Sequence, residues 1–258
     1  MEVQLVAAGK GWQWIVDGYA LFRKSPAMWM ALTLVMGVIW VVSMIIPLLG
    51  PLLFNLFSPL LFAGLMAGCR ALENGEALEV RHLAAGFQDR AAPLVTIGGV
   101  YLIGTIIVVG IVLVVAGGSM LPSVLSKPGT DIETLRAALR SMALALAIGA
   151  AVYLPLIMLM WFAPLLVMFD GMTPVAAMKL SLAACLKNTV PFLVYGLAIL
   201  GLWIVMSIPA AMGAIGAVLV VVLLVISIPV LVCSIYASYR DIFVARGAPA
   251  PGGNPFLR

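Results

Sequence analysis

No charged side chain falls in the 52 residues from Asn188 to Tyr239. The hydrocarbon core of a bilayer takes roughly 20 apolar residues per helical pass. The stretch is therefore about two crossings long, and the turn-forming run Ile208-Pro209-Ala210-Ala211-Met212-Gly213 lies in its middle. Hydrophobic residues make up 64% of the chain and charged ones 9%, against about 25% charged in a soluble domain. Such a chain is a polytopic membrane protein, and its length counts spans rather than soluble domains.

Three further blocks lack charge. Ser25–Cys69 has room for two helices, with Ile46-Pro47-Leu48-Leu49-Gly50-Pro51 as the break. Ala91–Ser126 holds one, from Pro93 to Ala116, ended by Gly117-Gly118. Ser141–Phe169 holds one long helix. The expected fold class is thus all-α, with six transmembrane helices. The last span, Ile215–Ile235, contains fifteen Leu, Ile or Val residues, which favour insertion by several kcal/mol.

Lys and Arg orient the chain. With six spans both termini share one side, which receives Lys10, Arg23, Lys24, Arg70, Arg81, Arg90, Lys179, Lys187, Arg240, Arg246 and Arg258. The other side receives Lys127, Arg136 and Arg140. Eleven against three is a positive-inside bias and places both termini in the cytoplasm. Met1–Lys10 lacks the pattern of a signal peptide. The net charge of +4 is too small to argue for nucleic acid and suits anionic headgroups.

The chain also repeats. Each unit reads as an amphipathic segment, a proline and a pair of spans, over residues 10–73, 74–170 and 171–245. All three lie in one membrane domain (1–258) whose last residues, 246–258, form a flexible tail. In the first unit Trp12, Ile15, Val16, Tyr19 and Phe22 fall at helical spacing, before Pro26. In the second the stripe is Val80, Leu83, Ala84 and Phe87, before Pro93. In the third Thr173 can cap a helix with Pro174 at its first position, and Val175, Met178, Leu182 and Cys185 form the stripe, before Pro191. An acid and a glycine precede the second and third segments, as Glu73-Asn74-Gly75 and Asp170-Gly171. These segments are expected to lie at headgroup level, apolar face down, with Trp12 and Trp14 at the interface. The alternative is that they are short cytoplasmic loops. On the outer side, Thr130-Asp131-Ile132-Glu133 is a capping-box pattern that starts a short helix running into the fourth span.

The spans carry no Asp, Glu, Lys, Arg or His. Such residues usually mark proton relays and ion or substrate paths, so a coupled transporter with a charged midplane site is disfavoured. Asn55 is the amide inside a span and is expected to bond between helices. Pro59, Pro155, Pro164 and Pro229 should kink the even-numbered spans. Gly64 with Gly68, and the ridge Ala143, Ala147 and Ala151, allow close helix approach within the chain or between copies. Cys69, Cys185 and Cys233 have neither metal-ligand nor disulfide spacing. His82 has no second ligand near it. Ser43, Ser58 and Ser227 have no His and Asp to activate them. Glu73, Glu76 and Glu79 read as a solvated helix face. No catalytic, cofactor-binding or metal residues are assigned, no cofactor is expected, and the chain is expected not to be an enzyme.

Phe169-Asp170-Gly171, Pro174, Ala177, Lys179-Leu180-Ser181 and Lys187-Asn188 resemble a segment of an uncharacterised bacterial inner-membrane superfamily. It includes the YciC-like proteins and the membrane domain fused to some glycerophosphodiester phosphodiesterases. Gly11-Trp12-Gln13-Trp14 through Phe22-Arg23, and Tyr236-Ala237-Ser238-Tyr239-Arg240-Asp241, are similar to proteobacterial members. The chain differs from the pattern at Asp170, where Glu is commoner, and in lacking an aromatic after Ser181. The resemblance implies six helices in the cytoplasmic membrane and brings no catalytic residues. The function expected is non-catalytic: organising lipid, or binding proteins through the interfacial segments. The alternative is a facilitator of lipid-like or apolar molecules. Membrane lipids are the expected partners, and the small-residue ridges leave oligomerisation open.

Overall fold

The computed structural model describes residues 2–115 and 132–244. Among these there is no strand. The helices are α1 (Lys10–Phe22), α2 (Pro26–Ile45), α3 (Leu49–Glu73), α4 (Ala85–Asp89), α5 (Ala91–Val115), α6 (Ile132–Trp161), α7 (Ala163–Asp170), α8 (Pro174–Lys187), α9 (Thr189–Ser207) and α10 (Ala214–Phe243). Tight 3-10 turns cover Val80–Ala84 and Ile208–Met212. Six segments are long and apolar enough to cross a membrane: α2, α3, α5, α6 with α7, α9 with its following turn, and α10. Thr130 and Asp131 of the capping-box pattern, Gly117-Gly118, Lys127 and the tail 246–258 lie outside the described residues.

The boundaries have local causes. Pro26 and Pro174 sit in the first turns of α2 and α8, where a missing N–H costs nothing. Thr173 does stand at the N-cap of α8, but its hydroxyl makes no capping bond. The acid-glycine pairs are helix stops. Gly171 (φ +65°) and Gly75 (φ +83°) are left-handed, and the N–H groups of Met172 and Glu76 turn back to the Leu166 and Ala71 carbonyls. Glycine takes that conformation without strain.

Burial is concentrated at one end of the bundle. In α2 only Trp29 and Leu32 are buried, and in α9 only Pro191 and Tyr195. In α10 burial runs from Pro229 to Phe243, apart from Gly216. The core therefore sits where the sequence gathers Lys and Arg, built from α1, α7, α8 and the near ends of the spans. Along the remaining lengths Leu, Ile and Val face outward, as lipid-facing positions do.

Two expectations about helices are corrected here. The fourth span is not one helix over Ser141–Phe169, for it breaks at Phe162 between α6 and α7. The Ser181 hydroxyl enters the ladder at that point. It donates to the Met158 carbonyl (2.6 Å) and accepts from the Phe162 N–H (2.9 Å). Pro164, which has no N–H, prevents the ladder from closing again. The second amphipathic segment is not one helix either, but a 3-10 turn followed by the single turn of α4. The Glu79 N–H donates to His82 Nδ1 (3.0 Å), and the Glu79 side chain accepts from the His82 backbone N–H. The lone histidine is thus a cap.

Small residues set the approaches. A Cβ on Gly64 would stand 2.6 Å from the His82 carbonyl oxygen, and one on Gly68 2.6 Å from Leu78 Cδ1, so that pair packs within the chain. The Ala143, Ala147 and Ala151 ridge is exposed instead. The packed face of α6 is Ala138, Ala145, Gly149 and Leu156. Asn55 donates to Pro51 O of its own helix (2.9 Å) rather than bonding across helices.

Candidate functional site

The features that a membrane-embedded chain could use lie on the face where α1, α7, α8 and the ends of α3 and α10 meet. Helix α1 is held there by a face that shares only Ile15 and Phe22 with the apolar stripe read in the sequence. Gly11, Trp14, Ile15, Gly18 and Phe22 are buried, whereas Trp12 and Tyr19 are each 50% exposed and Val16 is 40% exposed. The reason is steric. Gly11 lies against Pro191 O and Tyr195 N of α9, and Gly18 against Val230 O and Ser234 N of α10, so the glycine edge is the one that approaches backbone. Trp14, expected at the interface, is fully buried. Its indole N–H donates to Asp241 Oδ2 (3.2 Å), and its ring meets Phe192 at a tilt at 5.3 Å and Tyr195 edgewise at 5.9 Å. The Trp12, Val16 and Tyr19 stripe is left outward, with the Arg23 guanidinium over the Tyr19 ring at 5.8 Å.

Acids at the helix ends fasten this platform. Glu73, read from the sequence as part of a wet face, accepts from Tyr236 Oη (2.6 Å) and from Arg240 (2.7 Å). Arg240 also reaches Asp17 at 3.5 Å. Asp170 accepts from Tyr239 Oη (2.6 Å), and Asp241 pairs with Lys10 (3.0 Å). The Arg70 guanidinium covers the Phe169 ring at 5.0 Å. Residues from α1, α3, α7 and α10 are thus tied at one level. Asn188 completes the arrangement. It is fully buried, accepts from Val6 N–H (3.0 Å) and donates to the Gln4 and Ala184 carbonyls (3.1 Å each). It clamps the segment before α1 to the α8–α9 corner. The sequence signal for it was an amide between Lys187 and Thr189, where the charge-free run begins.

The two acid contacts differ in weight. The Arg240–Glu73 pair is part-exposed, with side chains 41% and 33% accessible, and pairs of that kind contribute about 0–1 kcal/mol. Tyr236 is 5% exposed, and losing its acceptor costs about 1–3 kcal/mol. Thermal unfolding in detergent is therefore expected to show Glu73→Ala destabilising by about 2 kcal/mol, and Arg240→Gln by under about 1 kcal/mol. Equal losses would refute this division.

The thiols are not reactive centres of this face. Cys69 and Cys233, distant in sequence, stand with sulfurs 3.8 Å apart and are fully buried and free. Burial pushes the Cys185 thiol up to about 12. Glu79 pairs with Arg81 at 2.8 Å. Among the described residues no group of His, Cys, Asp and Glu has the composition to hold a metal ion.

Behind the platform lie three apolar voids bordered by Phe62. One of about 390 Å³ lies between α2, α3 and α10, and includes Pro229 in its wall. One of about 220 Å³ is lined by Pro59, Ile97, Tyr101 and Pro164. One of about 180 Å³ is lined by Tyr101, Ile157, Trp161 and Ile235. Tyr101 Oη and Tyr153 Oη share a hydrogen bond of 2.6 Å inside the spans, a polar pair that the search for ionisable residues passed over.

The chain is similar to a protein of Burkholderia thailandensis named a probable inner membrane protein. The two are 28% identical over a 274-residue alignment that covers 97% of each. No protein-family model and no solved structure matches the chain.

Proposed function

We propose that this is a non-catalytic protein of the bacterial inner membrane that offers its tied platform as a docking face for partner proteins and lipid headgroups. One observation carries the reading. Helix α1 is pinned by Gly11 and Gly18 on one edge while Trp12, Val16 and Tyr19 stand outward on the other. A half-exposed aromatic face whose ring contacts among the described residues are only with its own helix end, Tyr19 against Phe22 and Arg23, suits an interface. The name of the Burkholderia thailandensis relative supports the membrane assignment. The acid-glycine stop, Ser181 and Asn188 fall on the segment that resembles the YciC-like superfamily and the phosphodiesterase-fused membrane domains, the superfamily to which this reading assigns the chain. In this proposal both termini are cytoplasmic and the three units are repeats. The reading includes no enzymatic role, because the platform's acids are bound to Tyr, Arg and Lys rather than facing a cleft.

The test uses exposed positions. Phe22 and Met178 are buried, so charges there would report on folding. Trp12→Asp, Val16→Asp, Tyr19→Asp and Phe87→Asp leave the core untouched. Each is expected to keep membrane localisation and thermal stability while the set of cross-linked partners is lost. Unchanged cross-links in all four variants would refute the docking reading.

A second reading, a facilitator for lipid-like or apolar molecules, draws on the voids around Phe62 and the prolines in their walls. In liposomes, Phe62→Ala would then raise the flux of a fluorescent lipid. No flux from either protein counts against it.

A further inference from the structure

The void between α2, α3 and α10 has the form of a lipid site. On α2 its wall is Trp29, Thr33, Met36, Gly37 and Trp40, one helical face. Eleven steps of 1.5 Å from Trp29 to Trp40 make that wall about 16 Å long, close to one leaflet's share of a roughly 30 Å hydrocarbon core. Its size of about 390 Å³ lies within the range of ligand sites, roughly 300–1,000 Å³. The wall is dry by construction. The Thr33 hydroxyl is turned onto Trp29 O (2.9 Å), and Gly37 leaves open space where a side chain would stand.

One polar group in the wall is unmet. The Trp29 indole N–H is buried and has no partner among the described residues, in a residue only 1% exposed. A buried indole N–H ordinarily has an acceptor. Trp29 lies in the first turn of a span, and Arg23 and Lys24 come just before it. That is the level at which the ester carbonyls of a glycerolipid lie beneath its phosphate. We infer that an acyl chain of an ester-linked anionic glycerolipid occupies this groove. The Trp29 N–H is closed off from the groove, so its ring turns as the lipid enters to donate to the ester carbonyl. The phosphate lies toward Arg23 and toward Lys24, whose ammonium also donates to Leu72 O (2.9 Å), and the methylenes run over Thr33 and Gly37 to Trp40. This rests on the membrane-embedded reading above and names a lipid that is bound rather than merely annular.

The test places the full chain in vesicles of phosphatidylethanolamine containing a small fraction of phosphatidylglycerol with a diazirine on its acyl chain. Photolabelled peptides are then mapped by mass spectrometry. Labels are expected to concentrate on residues 29–40, 54–65 and 228–232. Gly37→Leu, which fills the groove without meeting backbone, is expected to lower that labelling several-fold and leave other spans unchanged. Trp29→Phe keeps an aromatic ring but deletes the donor together with the pyrrole half of the indole, and is expected to lower it roughly two- to tenfold, the range for one net hydrogen bond. An ether-linked probe should lose the same factor on the wild type and none on Trp29→Phe. Equal labelling by ester and ether probes overturns the role of Trp29. Even labelling round all spans, indifferent to Gly37→Leu, overturns the groove and leaves membrane embedding intact. No label on any span overturns both.

Discussion

Gly18→Leu is expected to prevent α1 from seating on α10 and to be among the most damaging single changes in the chain. A methyl at this position would already stand 2.6 Å from Ser234 N and 2.7 Å from Val230 O. Both are backbone atoms of one helix, so no rotamer change relieves the clash, and the helices must separate. Overpacking in a core costs about 1–3 kcal/mol where side chains can yield, and here they cannot. Separation also unseats Trp14, Ile15 and Phe22 and breaks the contacts of Asp17 and Lys10 with Arg240 and Asp241. Unfolding in detergent and yield from membranes would measure the loss. Gly201→Leu is the control, because its Cβ would meet nothing within 4 Å. It is expected to be neutral or to stabilise by up to about 1 kcal/mol, since glycine is costly inside a helix. Equal stability of the two variants would refute the seating argument.

Ser181→Ala has the second largest expected effect. It removes one oxygen, strands the Phe162 N–H and leaves the Met158 carbonyl with only the weak Cys185 thiol contact (3.8 Å). Phe162, Ser181, Leu165 and Leu166 are all fully buried, so water cannot replace the hydroxyl. At about 1–3 kcal/mol for the stranded N–H and less for the carbonyl that keeps the thiol, the loss is about 2–4 kcal/mol. Pro164→Ala should recover part of it in the Ser181→Ala background, because the ladder could then close from α6 into α7. The same Pro164→Ala change alone should destabilise, since it straightens a corner that α8 is packed against. This opposite sign is a non-additivity that a double-mutant cycle measures directly. Additive losses would show that the break at Phe162 does not depend on Ser181.

The sequence was most legible where one energy term dominates. Six apolar segments and their breaks at Pro47 and Pro209 follow from keeping charge out of hydrocarbon. The acid-glycine pairs were visible as a pattern, and the left-handed φ of Gly75 and Gly171 supplies the cause of their glycines. The site was less legible. Reading α1 by its apolar stripe selected Trp12, Ile15, Val16, Tyr19 and Phe22, and of these the core took Ile15 and Phe22 while Trp12, Val16 and Tyr19 stayed outward. The helix instead turned Gly11, Trp14 and Gly18 inward, because close backbone approach outweighed side-chain hydrophobicity in surroundings already apolar. Glu73 looked solvated because its partners, Tyr236 and Arg240, are 163 and 167 residues away.

What the chain determined by itself is its medium: partition of side chains between lipid and headgroup is a local property, so the number of crossings could be summed residue by residue. Which helix edges touch, where Ser181 opens a ladder and where Asn188 clamps the first segment were decided only in three dimensions. Inside a membrane nearly every face is apolar, so hydrophobicity cannot choose between faces. Small residues and single hydrogen bonds make that choice, and both act only when distant parts of the chain meet.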